Sequence, residues 1–377
     1  MKLSARQLNR ATLGRQMLLR RESMPVVDAV HRVVALQAQE PASPYVALWN
    51  RLLDFEPADL DRAFADQAIV KASLMRIAMH AVDATDYPAL HEAMQRTLRA
   101  ARLNDRRFTS TGLTSADADA LIPEVADFAR EGKTNAAMEA WVEKRLGAPK
   151  PRMWWALRHY GPFVHAPTGG PWSFGPRPSY VAARDQARSG DRARSMQWMI
   201  RRYLEGFGPA SAQDMATFAM VYRPGVRDAL EALAGTLERL EGPGRAELYD
   251  IPGGLLPGED APAPPRLLGM WDSVLLAYAD RGRLTPPEYR KYIARINGDV
   301  LPTLLVDGYV AGVWRPVEAG IEATAFHRLS DEAWQGLEEE ARGLRTLLAG
   351  REPIIYRRYA HWWSTLPGAE VRVLAGS

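Results

Sequence analysis

The chain has 377 residues, of which 47% are hydrophobic, 25% charged and 9% aromatic, an ordinary globular balance that excludes wholesale disorder and suggests two or three folding units. Forty-eight basic residues against 45 acidic ones leave a formal charge of only +3, which excludes a histone-like coat of positive charge but not a local basic groove. There is no cysteine, so disulfides, thiol catalysis, iron–sulfur clusters and cysteine-ligated zinc are excluded together.

Residues 3–22 read as an opening helix, with Leu3, Leu8, Leu13, Met17 and Leu18 near helical spacing. Its start has no apolar signal core, and no run of 18 apolar residues occurs anywhere, so a cytoplasmic protein without a membrane segment is expected. Pro25 suits the first turn of a second helix, whose stripe is Val26, Val30, Val33, Val34 and Leu36. Pro41 and Pro44 interrupt it, and Tyr45–Leu53 reads as another short helix. Ile69–Val82 is apolar and β-tolerant with Lys71, Arg76 and His80 inserted, and is expected to form the paired strands of a wing.

The same plan recurs. Thr134–Leu146 is a helix, Gly147-Ala148-Pro149 a break, Pro151–Tyr160 a helix, and Phe163–Val181 a Gly/Pro-rich hairpin. Ser211–Tyr222 and Val226–Ala234 are helices around an Arg223-Pro224-Gly225 turn, and Thr236–Leu240 and Glu247–Ile251 bracket a second hairpin turn. Helix, short turn, helix, hairpin is the winged helix-turn-helix plan. The expected class is mainly α with small β-wings (α+β), as three tandem winged helices over 1–108, 109–190 and 191–255. A linker at 252–265 leads to a strand-rich extension over 266–377. There Leu301–Leu305 and Tyr309–Trp314 flank Asp307-Gly308, a type I′ turn signal that either probes a groove or simply closes a sheet. An amphipathic helix follows at Ser330–Leu348, with Ser330 as N-cap.

Common catalytic signatures are missing. There is no Walker lysine motif, no Gly-x-Gly-x-x-Gly after a strand and no Gly-x-Ser-x-Gly elbow. His91-Glu92 begins a zincin pattern, but Gln95 stands where a second histidine is needed. The seven histidines show no paired ligand spacing, so neither metal nor cofactor is expected. Leu204-Glu205-Gly206-Phe207-Gly208, with Asp228 downstream, is similar to the hairpin of helix-hairpin-helix repair proteins. That likeness also calls for a patterned partner helix before it and often a catalytic lysine, but here the segment simply precedes the third helix-turn-helix, started by Pro209.

Gln37-Ala38-Gln39 stands at the end of the second helix, before Pro41. Residues i and i+2 share a side only in an extended segment, so the two amides converge only if the helix ends near them. Spacing alone favours two idle, solvated glutamines, since Gln-x-Gln is a short pattern.

Several phrases in order along the chain resemble the AlkZ-like DNA glycosylases: Leu8 through Gln16, Leu36-Gln37-Ala38-Gln39-Glu40-Pro41, Leu74-Met75-Arg76 running to His80, Trp271-Asp272-Ser273 through Arg283, and Asn297 through Pro302. The resemblance implies tandem winged helices in a C shape. It also implies excision of N7-alkylated purines, interstrand crosslinks included, and a protective role in an organism exposed to a bifunctional alkylator. The family's catalytic Gln-apolar-Gln pair maps onto Gln37 and Gln39. One branch has Asp at the second position, and this chain departs from it. Members often carry Gly or Thr before the wing histidine; Ile77 and Ala78 stand here, which speaks against a catalytic role for His80.

Glutamine is no base at neutral pH, so the substrate must bring its own activation. An N7-alkylpurine does, because the cationic base departs neutral and leaves the protein to orient water and stabilise the oxocarbenium. A base tied to both strands cannot be flipped freely, so an open, groove-facing site is expected. Candidate DNA contacts are Arg15 on the first helix, Lys71 and Arg76 on the first wing, and Arg281 and Arg283 further on. The expected partner is double-stranded DNA carrying alkylation damage, bound by a monomer. A non-catalytic winged-helix regulator is the alternative, although such regulators usually dimerise and carry an effector domain. A damage binder without activity is a third reading.

Overall fold

A computed structural model describes residues 2–147, 152–184 and 191–375. The first helix, α1 (Ala5–Arg15), starts on a Ser4/Gln7 capping box. It is shorter than the expected 3–22. Leu18 N bonds Leu13 O and Met17 N bonds Gly14 O, with Met17 left-handed at φ 55°. That is a Schellman cap without its usual glycine, so no sequence signal marked it. Next come α2 (Val26–Arg32), β1 (Leu36–Gln37), α3 (Ser43–Trp49) and α4 (Pro57–Ala65). The first wing is β2 (Ile69–Ser73) and β3 (Met79–Asp83), followed by α5 (Tyr87–Leu103).

The second region holds α6 (Arg106–Thr109), α7 (Ser115–Phe128), β4 (Lys133–Thr134), α8 (Asn135–Leu146) and α9 (Met153–Tyr160). Its hairpin is β5 (Phe163–Ala166) and β6 (Ser179–Ala182). Gly147 ends α8 in a left-handed conformation; Ala148 and Pro149 of the expected break, and Pro151, lie outside the described residues. The two wings are not separate. They join in one antiparallel sheet of order β1-β3-β2-β5-β6-β4, with Lys71 opposite His165 at the seam.

The third region begins with α10 (Arg192–Phe207), which packs on α1, α5 and the later α12. Leu204–Phe207 is its last turn, so the segment similar to a helix-hairpin-helix is no hairpin. After α11 (Ala212–Ala219) the chain turns at left-handed Met220. The expected Arg223-Pro224-Gly225 turn is instead the first turn of α12 (Arg223–Ala232), where proline's missing N–H costs nothing. The hairpin β7 (Glu238–Glu241) and β8 (Glu247–Asp250) follows.

An irregular segment over 252–265 leads to β9 (Arg266–Leu268), α13 (Arg290–Ile293), β10 (Thr303–Val306), β11 (Tyr309–Val317), β12 (Gly320–Ala325), α14 (Asp331–Ala349) and β13 (Glu370–Leu374). The five strands form an antiparallel sheet, order β13-β12-β11-β10-β9, covered by α14. Asp307 and Gly308 both have positive φ, as a type I′ turn requires. The tip does not stand free: Arg6 and Arg10 of α1 both pair with Asp307.

Helix α1 locks these regions together through polar side chains that are themselves buried. Asn9 donates to the carbonyls of Arg283 and Gly308 at 2.9 and 2.8 Å. Thr12 meets the Tyr278 hydroxyl at 2.6 Å, and Gln16 Nε2 reaches Gly206 O at 2.9 Å. A parallel lock joins Arg51 to Asp272 by two 2.8 Å bonds, with both side chains at or below 1% exposure. Beside it, the Ser273 hydroxyl donates to Ala35 O at 2.8 Å, directly before β1. Burying such pairs is costly unless every donor is met, and here most are. Their effect is to hold the Leu36–Gln37 strand from behind.

Candidate active site

Helix α2 ends at Arg32 and the chain is extended by Leu36, so Gln37 and Gln39 do lie in the non-helical backbone that lets i and i+2 share a side. Gln37 sits opposite His80 in the β1–β3 ladder, and Ala38 N extends the pairing to Met79 O at 2.8 Å. Gln37 is buried at 7% exposure, whereas Gln39 is exposed.

The wing turn supplies the partner that sequence reading placed on phosphate. Arg76 and Ile77 are both left-handed, at φ 54° and 58°, a conformation that strains side-chain-bearing residues. It turns the Arg76 guanidinium back over β3 instead of outward. There Nη1 donates to Phe218 O at the end of α11 (2.8 Å), and Nη2 donates to Gln37 Oε1 (3.0 Å) and His80 Nε2 (3.2 Å). A guanidinium only donates, which fixes both neighbours. The carbonyl end of Gln37 must face Arg76, leaving its NH₂ as the free end. His80 must accept at Nε2, so its proton is on Nδ1, which donates to Ala78 O at 3.0 Å. Burial and the Arg76 charge push His80 down to about 3, so it is neutral and both its nitrogens are engaged.

Burial, and then the facing guanidinium of Arg281, push Arg76 down to about 9. Arg281 donates to Leu275 O and is itself lowered by burial and by Arg290. Among the described residues, none of Arg76, Arg281, Arg290 or Lys291 is ion-paired. Arg76, with Arg281 acting on it, thus puts positive charge without an ion-pair partner among the described residues beside Gln37, which favours an incoming anion.

The other candidates are elsewhere. Arg15 is buried and bidentate to Asp250 (2.7 and 2.6 Å), with further bonds to Leu204 O and Leu255 O. It is a structural residue, and no phosphate can reach it. Lys71 is 6% exposed, its ammonium 4.4 Å over the Phe174 ring, and burial pushes it down to about 8 against the pull of Glu40. It stands in the pleat row of Leu36 and Ala81, the row adjacent to that of Gln37 and His80, and so points to the other face of the sheet. Arg283 lies 3.8 Å over the Tyr278 ring and donates to Pro209 O at 2.9 Å, leaving it half-buried. Arg76 and Arg281 are thus brought together with Gln37; Arg15, Lys71 and Arg283 are not.

Sequence reading also passed over Glu40, the one acid adjoining the motif. It pairs with Arg358 at 2.6 Å and accepts from the Tyr359 hydroxyl at 3.0 Å, while burial raises it above the usual carboxylate range. Its neighbours are Lys71, Arg358 and Tyr359, and its carboxylate is engaged by the last two. The tryptophan pairs are mainly packing: Trp154 is 1% exposed, and Trp362 donates to Asp299 under the Arg295 guanidinium.

A family model described as DNA glycosylase AlkZ-like matches residues 30–347. The chain is similar to an interstrand DNA cross-link repair glycosylase of Streptomyces sahachiroi, at 25% identity over 90% of this chain and 95% of the relative. Its fold is similar to that of the solved Streptomyces sahachiroi DNA glycosylase AlkZ, with a TM-score of 0.79 at 21% identity, covering 94% of this chain and 99% of that one.

Proposed function

The chain belongs to the AlkZ-like DNA glycosylases, and from that premise we propose that it hydrolyses the N-glycosidic bond of N7-alkylated purines in double-stranded DNA. Bulky adducts and interstrand crosslinks are the intended substrates, and the enzyme acts as a monomer without cofactor. Gln37 and Gln39 are its catalytic pair.

The observation that carries this reading is the pairing of a fixed amide with a free one. Arg76 anchors the carbonyl of Gln37, so its NH₂ is a preorganised donor. Gln39 is exposed, with no hydrogen-bond partner among the described residues, and can accept from water. Water's oxygen forms the new bond to C1′ as the C1′–N9 bond breaks. The electron pair of that bond neutralises the cationic purine, and the water proton passes to solvent. No general base is needed, because the leaving group is already activated; what the protein supplies is orientation and dipoles. The exposure of Gln39 supports an open site that a crosslinked base can enter without flipping. Arg281, next to the inward-turned Arg76, suits a phosphate flanking the lesion.

The test is release of free 7-methylguanine from a duplex by the purified chain, lost in Gln37→Ala and Gln39→Ala. Robust release of uracil would refute the amide mechanism, and binding without release would leave a non-catalytic DNA-binding protein.

A further inference from the structure

Ile296 is the most exposed large apolar side chain among the described residues, at 109% of its reference area. It does not belong to a loose loop. Ala294 bridges Val300, Arg295 N bonds Asp299 O (2.8 Å) and Gly298 N bonds Arg295 O (3.0 Å), which makes Ile296-Asn297-Gly298 the tip of a tight turn. Gly298 has φ +91°, a conformation that favours glycine. Two indoles hold the tip from below: Trp271 Nε1 donates to Gly298 O (2.8 Å) and Trp362 Nε1 to Asp299 Oδ2 (3.2 Å).

Chains of contacts also link the turn to the site on both sides. Trp271 packs edge-on to Tyr359, whose hydroxyl donates to Glu40, the neighbour of Gln39. On the other side Ala294 lines a small cleft with Arg281 and Arg290. Arg290 and Lys291 flank the turn, exposed and without ion pairs among the described residues.

We propose that Ile296 is a wedge which inserts between base pairs at the lesion, with Arg290 and Lys291 gripping the phosphates on either side. An apolar side chain on a rigid tip, ringed by cations, is what separating stacked bases demands, because apolar surface replaces the lost stacking while the cations hold the backbone. The wedge bends the duplex and presents the glycosidic bond to the two glutamines without extruding the base. The proposal rests on the glycosylase reading above for its substrate.

The experiment compares the full-length wild type with Ile296→Ser and Ile296→Leu. One arm follows 2-aminopurine fluorescence next to an abasic-site analogue in a duplex. The other follows 7-methylguanine release from a fully paired duplex and from one in which the lesion faces a gap. Wild type and Ile296→Leu should raise the fluorescence; Ile296→Ser should not. Ile296→Ser should lose about tenfold or more on the paired duplex and far less on the gapped one, where unstacking is already done. Because the side chain is fully exposed, the serine variant should fold and melt as wild type. Unchanged fluorescence and release in Ile296→Ser would overturn the wedge. If wild type releases no 7-methylguanine, the glycosylase reading falls while the fluorescence arm still decides the wedge.

Discussion

Replacing Arg76 by Met keeps its aliphatic stem near Phe218 but removes three donated bonds, to Gln37 Oε1, Phe218 O and His80 Nε2. The bond to Gln37 is charge-assisted, and losing such a bond forfeits about 1.5–3 kcal/mol of the preference that holds the amide one way round. If that preference is expressed in the transition state, kcat falls by roughly 10- to 150-fold with little change in KM. Stability moves in two directions. Phe218 O and His80 Nε2 each lose a partner, at about 1–3 kcal/mol apiece if no water replaces it. Against that, a cation held unfavourably by burial and by Arg281 is gone. A modest net change in urea unfolding is expected alongside a large change in turnover. Single-turnover release of 7-methylguanine by the wild type, Arg76→Met, Gln37→Ala and the double variant closes the cycle. Because Arg76 acts through Gln37, the double variant should be no worse than Gln37→Ala alone. Multiplicative losses, or kcat within about twofold of wild type in Arg76→Met, would refute the positioning role.

Arg15→Met should cost about 3–5 kcal/mol in urea unfolding by stranding buried Asp250, and should leave the salt dependence of DNA binding of the folded protein unchanged; a flattened salt slope without loss of stability would show a phosphate ligand instead. His80 and His159 are pushed down to about 3, and His165 well below its usual value, chiefly by burial. Their unfolded forms take up protons near pH 6.5, so the stability they contribute is complete above that pH and is lost as pH falls toward 3; between pH 7 and 5.5 each costs roughly 1 kcal/mol, measurable by denaturant melts. The same shift predicts no limb from His80 in the pH–rate profile between pH 5 and 8, and a His80-dependent inflection there would contradict the neutral assignment. Lys71→Met should retain DNA affinity within about twofold, since its ammonium lies over Phe174 rather than on the surface.

What could be read from sequence was whatever local chemistry decides. The wing strands, the Asp307-Gly308 turn and the Ser330 cap depend on residues close in the chain, and all three formed where expected. The non-helical backbone at Gln37 and Gln39 was legible from Pro41 and the helix end. The fate of individual arginines was not legible, because a guanidinium is assigned by what lies opposite, and Asp250 is 235 residues from Arg15. Sequence points Arg76 at phosphate, whereas the fold turns it onto Gln37 and His80. Its inward turn depends on two successive left-handed residues, neither of them glycine, which no composition rule signals. The joining of two wings across the Lys71–His165 seam was likewise invisible, since it pairs strands from separate units.

The polar contacts of α1 have a consequence for the order in which the molecule is made. The helix is synthesised well before its partners, so its buried Arg15 waits for Asp250 and its Arg10 for Asp307. Until Asp307 has been translated, both cations are not yet paired, and the scaffold behind Gln37 is incomplete. A nascent chain or a fragment cut before Asp307 should therefore expose α1 to proteases and lack a formed active site, however sound its first wing. Competence arrives only when both carboxylates have reached the helix.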